Sequence, residues 1–84
     1  MRWEQLDEPV KVRADFQGGV ISPVVFRRGT NRIGVRTVNT RWQDTRGKSR
    51  ICYFSVTGDT GDVYQLCFDT AALSWRVEYV LFDG

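Results

Sequence analysis

The residues most able to do chemistry in this chain are basic, and they are concentrated in one segment. Residues 27–50 hold eight Arg or Lys and one acid, Asp44, a net charge of +7 in a chain whose total is +2. Guanidinium groups bind phosphate oxygens through two parallel hydrogen bonds, and exposed aromatic rings stack on bases. The segment therefore predicts a nucleic-acid-binding surface. The candidate residues are Arg27, Arg28, Arg32, Arg36, Arg41, Trp42, Arg46, Lys48 and Arg50.

The same charges also have a purely structural interpretation. Residues 51–84 carry a net charge of −4, and Arg–carboxylate pairs would neutralise much of the excess if those strands lay beside the basic ones. Strict alternation also places Arg41 on the face opposite Arg32 and Arg36, so one contiguous patch does not follow from the sequence. Both interpretations stay open at this point.

The chain offers little for catalysis or metal binding. It has no His, which removes the commonest general base and the Ser-His and Cys-His dyads. Two Cys without His do not supply the four ligands of a usual zinc site. The acidic turn at residues 58–62 lacks the remaining oxygen ligands and the terminal Glu of a calcium loop. The sequence predicts no enzyme, no catalytic residue, no metal and no cofactor.

The state of Cys52 and Cys67 depends on the register of one hairpin, formed by residues 50–57 and 62–69. A four-residue loop would pair the two Cys and allow a disulfide. A three-residue loop, residues 59–61, places Gly61 at a left-handed position and gathers the apolar side chains on one face. We favour the second register, because a one-residue slip would split that apolar set, and it leaves both Cys free, buried and inert. The apolar set is Cys52, Phe54, Val56, Tyr64, Leu66 and Phe68.

The elements that position these residues are short strands separated by turn signals. Apolar patterning predicts strands over residues 10–16, 21–27, 32–42, 50–57, 62–69 and 75–82. Pro23 cannot donate to a ladder and belongs at an edge, a bulge or a strand start. In the strand over residues 32–42, alternation places Ile33 and Val35 on one face and Val38 on the other. Gly34 indicates a bend or bulge within this strand. The polar residues 43–49 predict a loop.

These elements predict an all-β fold, with five or six strands in a strongly bent antiparallel sheet that forms a small, partly open barrel. The chain, residues 1–84, is a single domain. Residues 1–8 are either frayed or form a cap through Trp3 and Leu6. The aromatic residues expected in the core are Phe54, Tyr64, Phe68 and Trp75, whereas Trp42 is expected to be exposed.

A set of strand aromatics and turn glycines spans roughly residues 10–82. It comprises Pro23, Phe26, Gly29, Val35, Val38, Trp42, Arg50, Tyr53, Val56, Gly61, Tyr64, Leu66, Asp69 and Trp75. This set resembles a family of short uncharacterised bacterial β proteins, and a similar module stands at the C-terminal end of some polymerase-like damage-tolerance proteins. The resemblance implies no activity and no functional residues, but it favours nucleic acid as a partner.

Two functions are consistent with the sequence. The first is a small accessory module that binds nucleic acid without sequence specificity. The second is a protein-interaction module or homodimer that uses an edge strand or an aromatic patch. No stretch approaches the ~20 apolar residues of a membrane span, and the N-terminal residues lack the apolar run of a signal peptide. We therefore expect a cytoplasmic monomer or homodimer without a membrane partner.

Overall fold

Turn residues divide the chain into six strands. The computed structural model describes residues 2–83. The strands are β1 (Arg2–Gln17), β2 (Val20–Arg28), β3 (Asn31–Arg46), β4 (Ser49–Gly58), β5 (Val63–Asp69) and β6 (Ser74–Phe82). Each strand pairs antiparallel with the next, and β6 pairs with β1, so that the bent sheet closes into a ring. The predicted all-β fold class is confirmed. Within the described part of the chain, no helix has the length and apolar character of a membrane span.

The hairpin of β4 and β5 has the predicted register. Phe54 lies opposite Leu66, and Val56 lies opposite Tyr64. The connection is the three-residue loop, in which Gly61 adopts a φ of +96° and its N–H donates to the carbonyl of Gly58 at 3.0 Å. Because burial of the apolar face fixes this register, both Cys are free.

The arm that joins β3 to β4 differs from the prediction. The expected loop over residues 43–49 is wrong, since β3 continues to Arg46 and a two-residue turn of Gly47 and Lys48 leads into β4. Gly47 has a φ of +59°, which suits a tight hairpin turn. The side chains of this arm are polar because both of its faces are exposed. Hydrogen bonds to β4 satisfy the backbone N–H and C=O groups, so the strand forms without an apolar pattern.

Two long strands divide their pairing between neighbours. In β1, residues 2–10 pair with β6 and residues 11–17 pair with β2. In β3, residues 31–34 pair with β2 and residues 35–46 pair with β4. Consequently, residues 20–24 of β2 and 35–46 of β3 do not pair with each other, and we call this opening the seam. Pro23 lies along it beside a bulge, as predicted.

The core fills the interior of the ring. The most deeply buried side chains, at most 1% exposed, are Phe26, Val56, Leu66, Val77 and Val80. Of the four aromatic residues predicted in the core, Phe54, Tyr64 and Phe68 are buried, and Trp75 is half-buried against the core. The prediction that Val38 lies on the face opposite Ile33 and Val35 is wrong. The unpaired residue Arg36 shifts the register of β3, so that Val38 lies opposite Val56 and packs against the core as Val35 does.

Residues 2–8, which the sequence left as frayed or capping, form the first part of β1. Leu6 packs against the core. Trp3 lies edge-on against Tyr79 with ring centroids 5.9 Å apart. Met1 lies outside the described residues.

Candidate nucleic-acid interface

The predicted basic residues do not form one patch. Arg27 and Arg32 lie opposite each other on the outer face of the ring. Arg28 forms an ion pair with Glu8, with Nε and Oε1 2.5 Å apart. The remaining candidates are distributed along β3 and around the turn at its end: Arg36, Arg41, Trp42, Arg46, Lys48 and Arg50.

Four basic side chains converge on the outer face where β1, β2 and β3 run side by side. Lys11 lies opposite Arg27, which lies opposite Arg32, so the three form one row across three strands. Arg13 is two residues further along β1 and lines the same surface groove of about 340 Å³. We call Lys11, Arg13, Arg27 and Arg32 the cationic cluster.

Alternation along the strands explains why these side chains point outward. Their neighbours Val12, Phe26 and Ile33 pack in the core, and successive residues of a strand point to opposite faces. Because the core side chains occupy the inner face of each strand, the charged side chains between them point to the outer face.

Within residues 2–83, no acid forms a salt bridge with the cationic cluster. The salt bridges there are Arg28 with Glu8 and Arg76 with Asp7. In the described part of the chain, the acids of residues 51–83 therefore form no salt bridge with the basic residues 27–50. The ion pair that this basic segment does form, Arg28 with Glu8, uses an acid of β1. Like charges directly opposite each other across strands are destabilising. The row of Lys11, Arg27 and Arg32 thus raises the energy of the free protein, and an external anion would lower it.

The sequence analysis did not identify Lys11 and Arg13 as members of the cationic cluster. They lie in a segment, residues 1–26, whose net charge is −1. The distribution of charge along the chain therefore does not indicate them. The signal that could have found them is their spacing of two in a predicted strand, which puts both on its polar face.

The basic residues of β3 nearest the seam are held by hydrogen bonds. Arg36 Nη2 donates to the carbonyl of Asp59 at 2.7 Å. Arg41 reaches across the seam, where Nε donates to the carbonyl of Ile21 at 3.3 Å and Nη2 donates to Ser22 Oγ at 3.1 Å. Arg41 thus occupies the place of ladder hydrogen bonds that the two strands do not form.

Trp42 is exposed, as predicted, and its ring is held in place by a neighbour. It lies opposite Tyr53 on the outer face, with ring centroids 5.3 Å apart and planes inclined by 9°. Tyr53 is 6% exposed and Trp42 is 38% exposed. The indole is therefore supported on one side and solvated on the other. Trp3 and Phe16 are more exposed, at 62% and 64%, although no charge pattern singled them out.

The remaining chemistry-bearing side chains give no sign of a reactive centre. Cys67 is buried on the outer side of the sheet with Ile51 and Tyr53. Burial, together with the carboxylate of Glu78, raises the pKa of its thiol to about 11. Among the described residues, no three His, Cys, Asp or Glu side chains gather closely enough to hold a metal ion.

The cationic cluster lies on β1, β2 and β3, the seam separates β2 from β3, and the Trp42–Tyr53 stack lies on β3 and β4. They comprise positive charge without a salt-bridge partner in residues 2–83, an opening in the sheet and an exposed aromatic ring. Comparisons with family models, with curated proteins and with solved structures found no match to this chain.

Proposed function

We propose that this protein binds nucleic acid without sequence specificity, through the phosphate backbone, at the cationic cluster. The observation that carries this proposal is the row of Lys11, Arg27 and Arg32 across three strands without a carboxylate partner. A chain of phosphates supplies regularly spaced negative charge and releases counterions when cations replace them. The resemblance described above points to the same class of partner.

The size of the cluster sets the expected salt dependence. Four phosphate contacts give a log–log slope of roughly −3, since each contact contributes about −0.7 for single strands and about −0.9 for duplex. Affinity should therefore fall by roughly 50- to 150-fold between about 50 and 200 mM salt. Contacts at the turn of β3 and β4 would make this slope steeper.

The test is a fluorescence titration of labelled oligonucleotides at those two salt concentrations. A double variant, Arg27→Gln with Arg32→Gln, should bind more weakly and reduce the magnitude of the slope by about 2. The matched control is Arg46→Gln with Lys48→Gln, which changes net charge equally on a different part of the surface. The control should lose less affinity than the cluster variant.

Two results would contradict the proposal at different levels. Equal losses in the two double variants would mean that general attraction, and not the cationic cluster, holds the nucleic acid. No binding of any oligonucleotide at about 50 mM salt would refute nucleic-acid binding, because electrostatic affinity is strong under that condition.

A protein partner is the second candidate, and one observation favours it. Trp3, Tyr79 and Leu81 line an apolar surface groove of about 360 Å³ on the outer face of β1 and β6. Exposed apolar patches on small proteins often mark interaction sites. This function predicts self-association or partner capture that survives high salt and that Trp3→Ser abolishes, as light scattering and pull-down would show.

A further inference from the structure

Trp42 stays partly exposed although Tyr53 covers one face of its ring. Tyr53 is buried beside Ile51 and Cys67, so it holds the parallel indole upright on the outer face of β3 and β4. Because Tyr53 covers one face of the indole, the 38% exposure of Trp42 lies on its other face and its edges. The structure thus presents a flat aromatic surface whose orientation is fixed before any ligand arrives.

The seam is the reason why this face is open. In a continuous sheet, the next strand would place a side chain directly beside Trp42. Residues 20–24 of β2 do not pair with β3, and a groove of about 190 Å³ lies there. Its lining includes Val20 and Ile21 of β2, Trp42 of β3, and Tyr53 and Phe54 of β4.

Polar groups stand at the same opening. Arg41 and Gln43 line the groove, and Arg41 bridges its two walls through Ile21 and Ser22. A guanidinium has five N–H donors, and two hydrogen bonds of Arg41 are made within residues 2–83. Arg41 and Gln43 lie opposite the core residues Phe54 and Cys52, so these donors stand on the inner side of the opening, whereas the Trp42 ring stands on its outer side.

We infer that Trp42 stacks an unpaired base at the seam, so that the nucleic acid this protein binds is single-stranded. The inference rests on the proposed function. The bound strand runs along the outer side of β3 between Trp42 and Arg32 of the cationic cluster. Those residues are ten positions apart on one strand, a separation of at most about 33 Å, which suits the several nucleotides that small β domains occupy. A base within a duplex is already stacked on both faces and must be extruded before it can enter the groove.

Three probes of equal length separate stacking from phosphate binding. They are a single strand of about 16 nucleotides, a duplex of the same sequence, and a single strand of the same length without bases. The wild-type protein should bind the normal single strand most tightly. Trp42→Leu should weaken that complex by roughly 5- to 150-fold, the loss of one stacked base, and should leave affinity for the abasic strand unchanged.

Two further variants show that the effect belongs to the exposed ring. Trp3→Leu removes another exposed indole, which lies edge-on against Tyr79, and should leave binding of all three probes unchanged. Trp42→Phe keeps an aromatic ring against Tyr53 and should recover part of the affinity that Trp42→Leu loses. Thermal unfolding of each variant shows whether the fold is retained.

The inference is wrong if the abasic strand or the duplex binds as tightly as the normal single strand. It is also wrong if a folded Trp42→Leu protein keeps wild-type affinity for the single strand. In either case salt-sensitive binding would still support the proposed function. If no probe binds at about 50 mM salt, both the proposed function and this inference fail.

Discussion

Cys67 illustrates how a side chain with reactive chemistry is made inert by its surroundings. Cys67 as a whole residue is 8% exposed and lies on the outer side of the sheet. Burial is the main reason why its pKa rises from 9.0 to about 11, and Glu78 adds to the effect. The nearby guanidinium groups of Arg46 and Arg76 act in the opposite direction but are outweighed. Since the thiolate is the nucleophile, the folded protein carries almost none at neutral pH.

We predict that native Cys67 reacts slowly with a thiol reagent at about pH 8 and rapidly once the chain is unfolded. The raised pKa means that the folded state holds this proton more tightly than the unfolded state does. Its contribution to the free energy of unfolding is therefore complete below pH 9.0 and is lost as the pH rises toward 11. Reagent kinetics with Cys52→Ala and Cys67→Ala proteins assign the rates. A fast reaction of Cys67 in the folded protein would contradict the prediction.

The two strand edges along the seam carry features that discourage pairing with another chain. Pro23 offers no N–H, and the extra residue Val24 forms a bulge in β2. Arg41 places a charge across the opening. Natural proteins protect exposed sheet edges with such Pro, bulges and inward-pointing charges.

We predict that Arg41→Val increases self-association, because it exposes the carbonyl of Ile21 and replaces a charge with an apolar strand former. Light scattering over a concentration series should show a higher mass than for the wild-type protein. Arg50→Val is the matched control, since Arg50 lies in β4, which is paired on both sides with β3 and β5 and has no open edge. If the two variants have the same mass, the edge at the seam is not what limits association.

The sequence predicted strands well where burial controls the pattern and poorly where it does not. The register of β4 and β5 followed from the need to keep Phe54 and Leu66 on one buried face. Residues 43–49 contain no apolar alternation because both faces of that arm meet solvent, so the strand to Arg46 had no sequence signal. The bulges at Arg36 and Asn39 each insert one residue, so the side chains after each bulge switch to the other face of the strand. Apolar alternation alone does not show where such bulges occur.

The cationic cluster could not have been assembled from the sequence, because it depends on which strands become neighbours. β2 lies between β1 and β3, which brings Lys11 beside Arg27. The acids Asp69 and Glu78 lie in or beside β5 and β6. Neither of these acids forms a salt bridge with the cationic cluster, whereas Asp59 lies against Gly34 and Arg36 of the basic segment.

We predict that Arg27→Gln stabilises the free protein while it weakens nucleic-acid binding. Arg27 stands between Lys11 and Arg32, and removal of the central charge relieves two repulsive pairs worth roughly 0.2–1 kcal/mol each. The gain in the free energy of unfolding, measured in urea, should shrink at high salt, because salt screens exposed charges. The control Arg28→Gln should instead lose stability, since it breaks the ion pair with Glu8. Destabilisation by Arg27→Gln at low salt would show that repulsion in the row is negligible.

Closure of the ring has a consequence for how the chain acquires its structure. The first residues of β1 pair with the last strand, with Arg2 opposite Phe82, so this contact spans nearly the whole described chain. Contacts between distant residues require the closure of long loops and slow the folding of β domains. As the chain leaves the ribosome, the first half of β1 has no partner until β6 has been made, and it then presents an unpaired edge to its surroundings. Synthesis that pauses before β6 would therefore leave a sheet open at both ends, in the state most prone to aggregate.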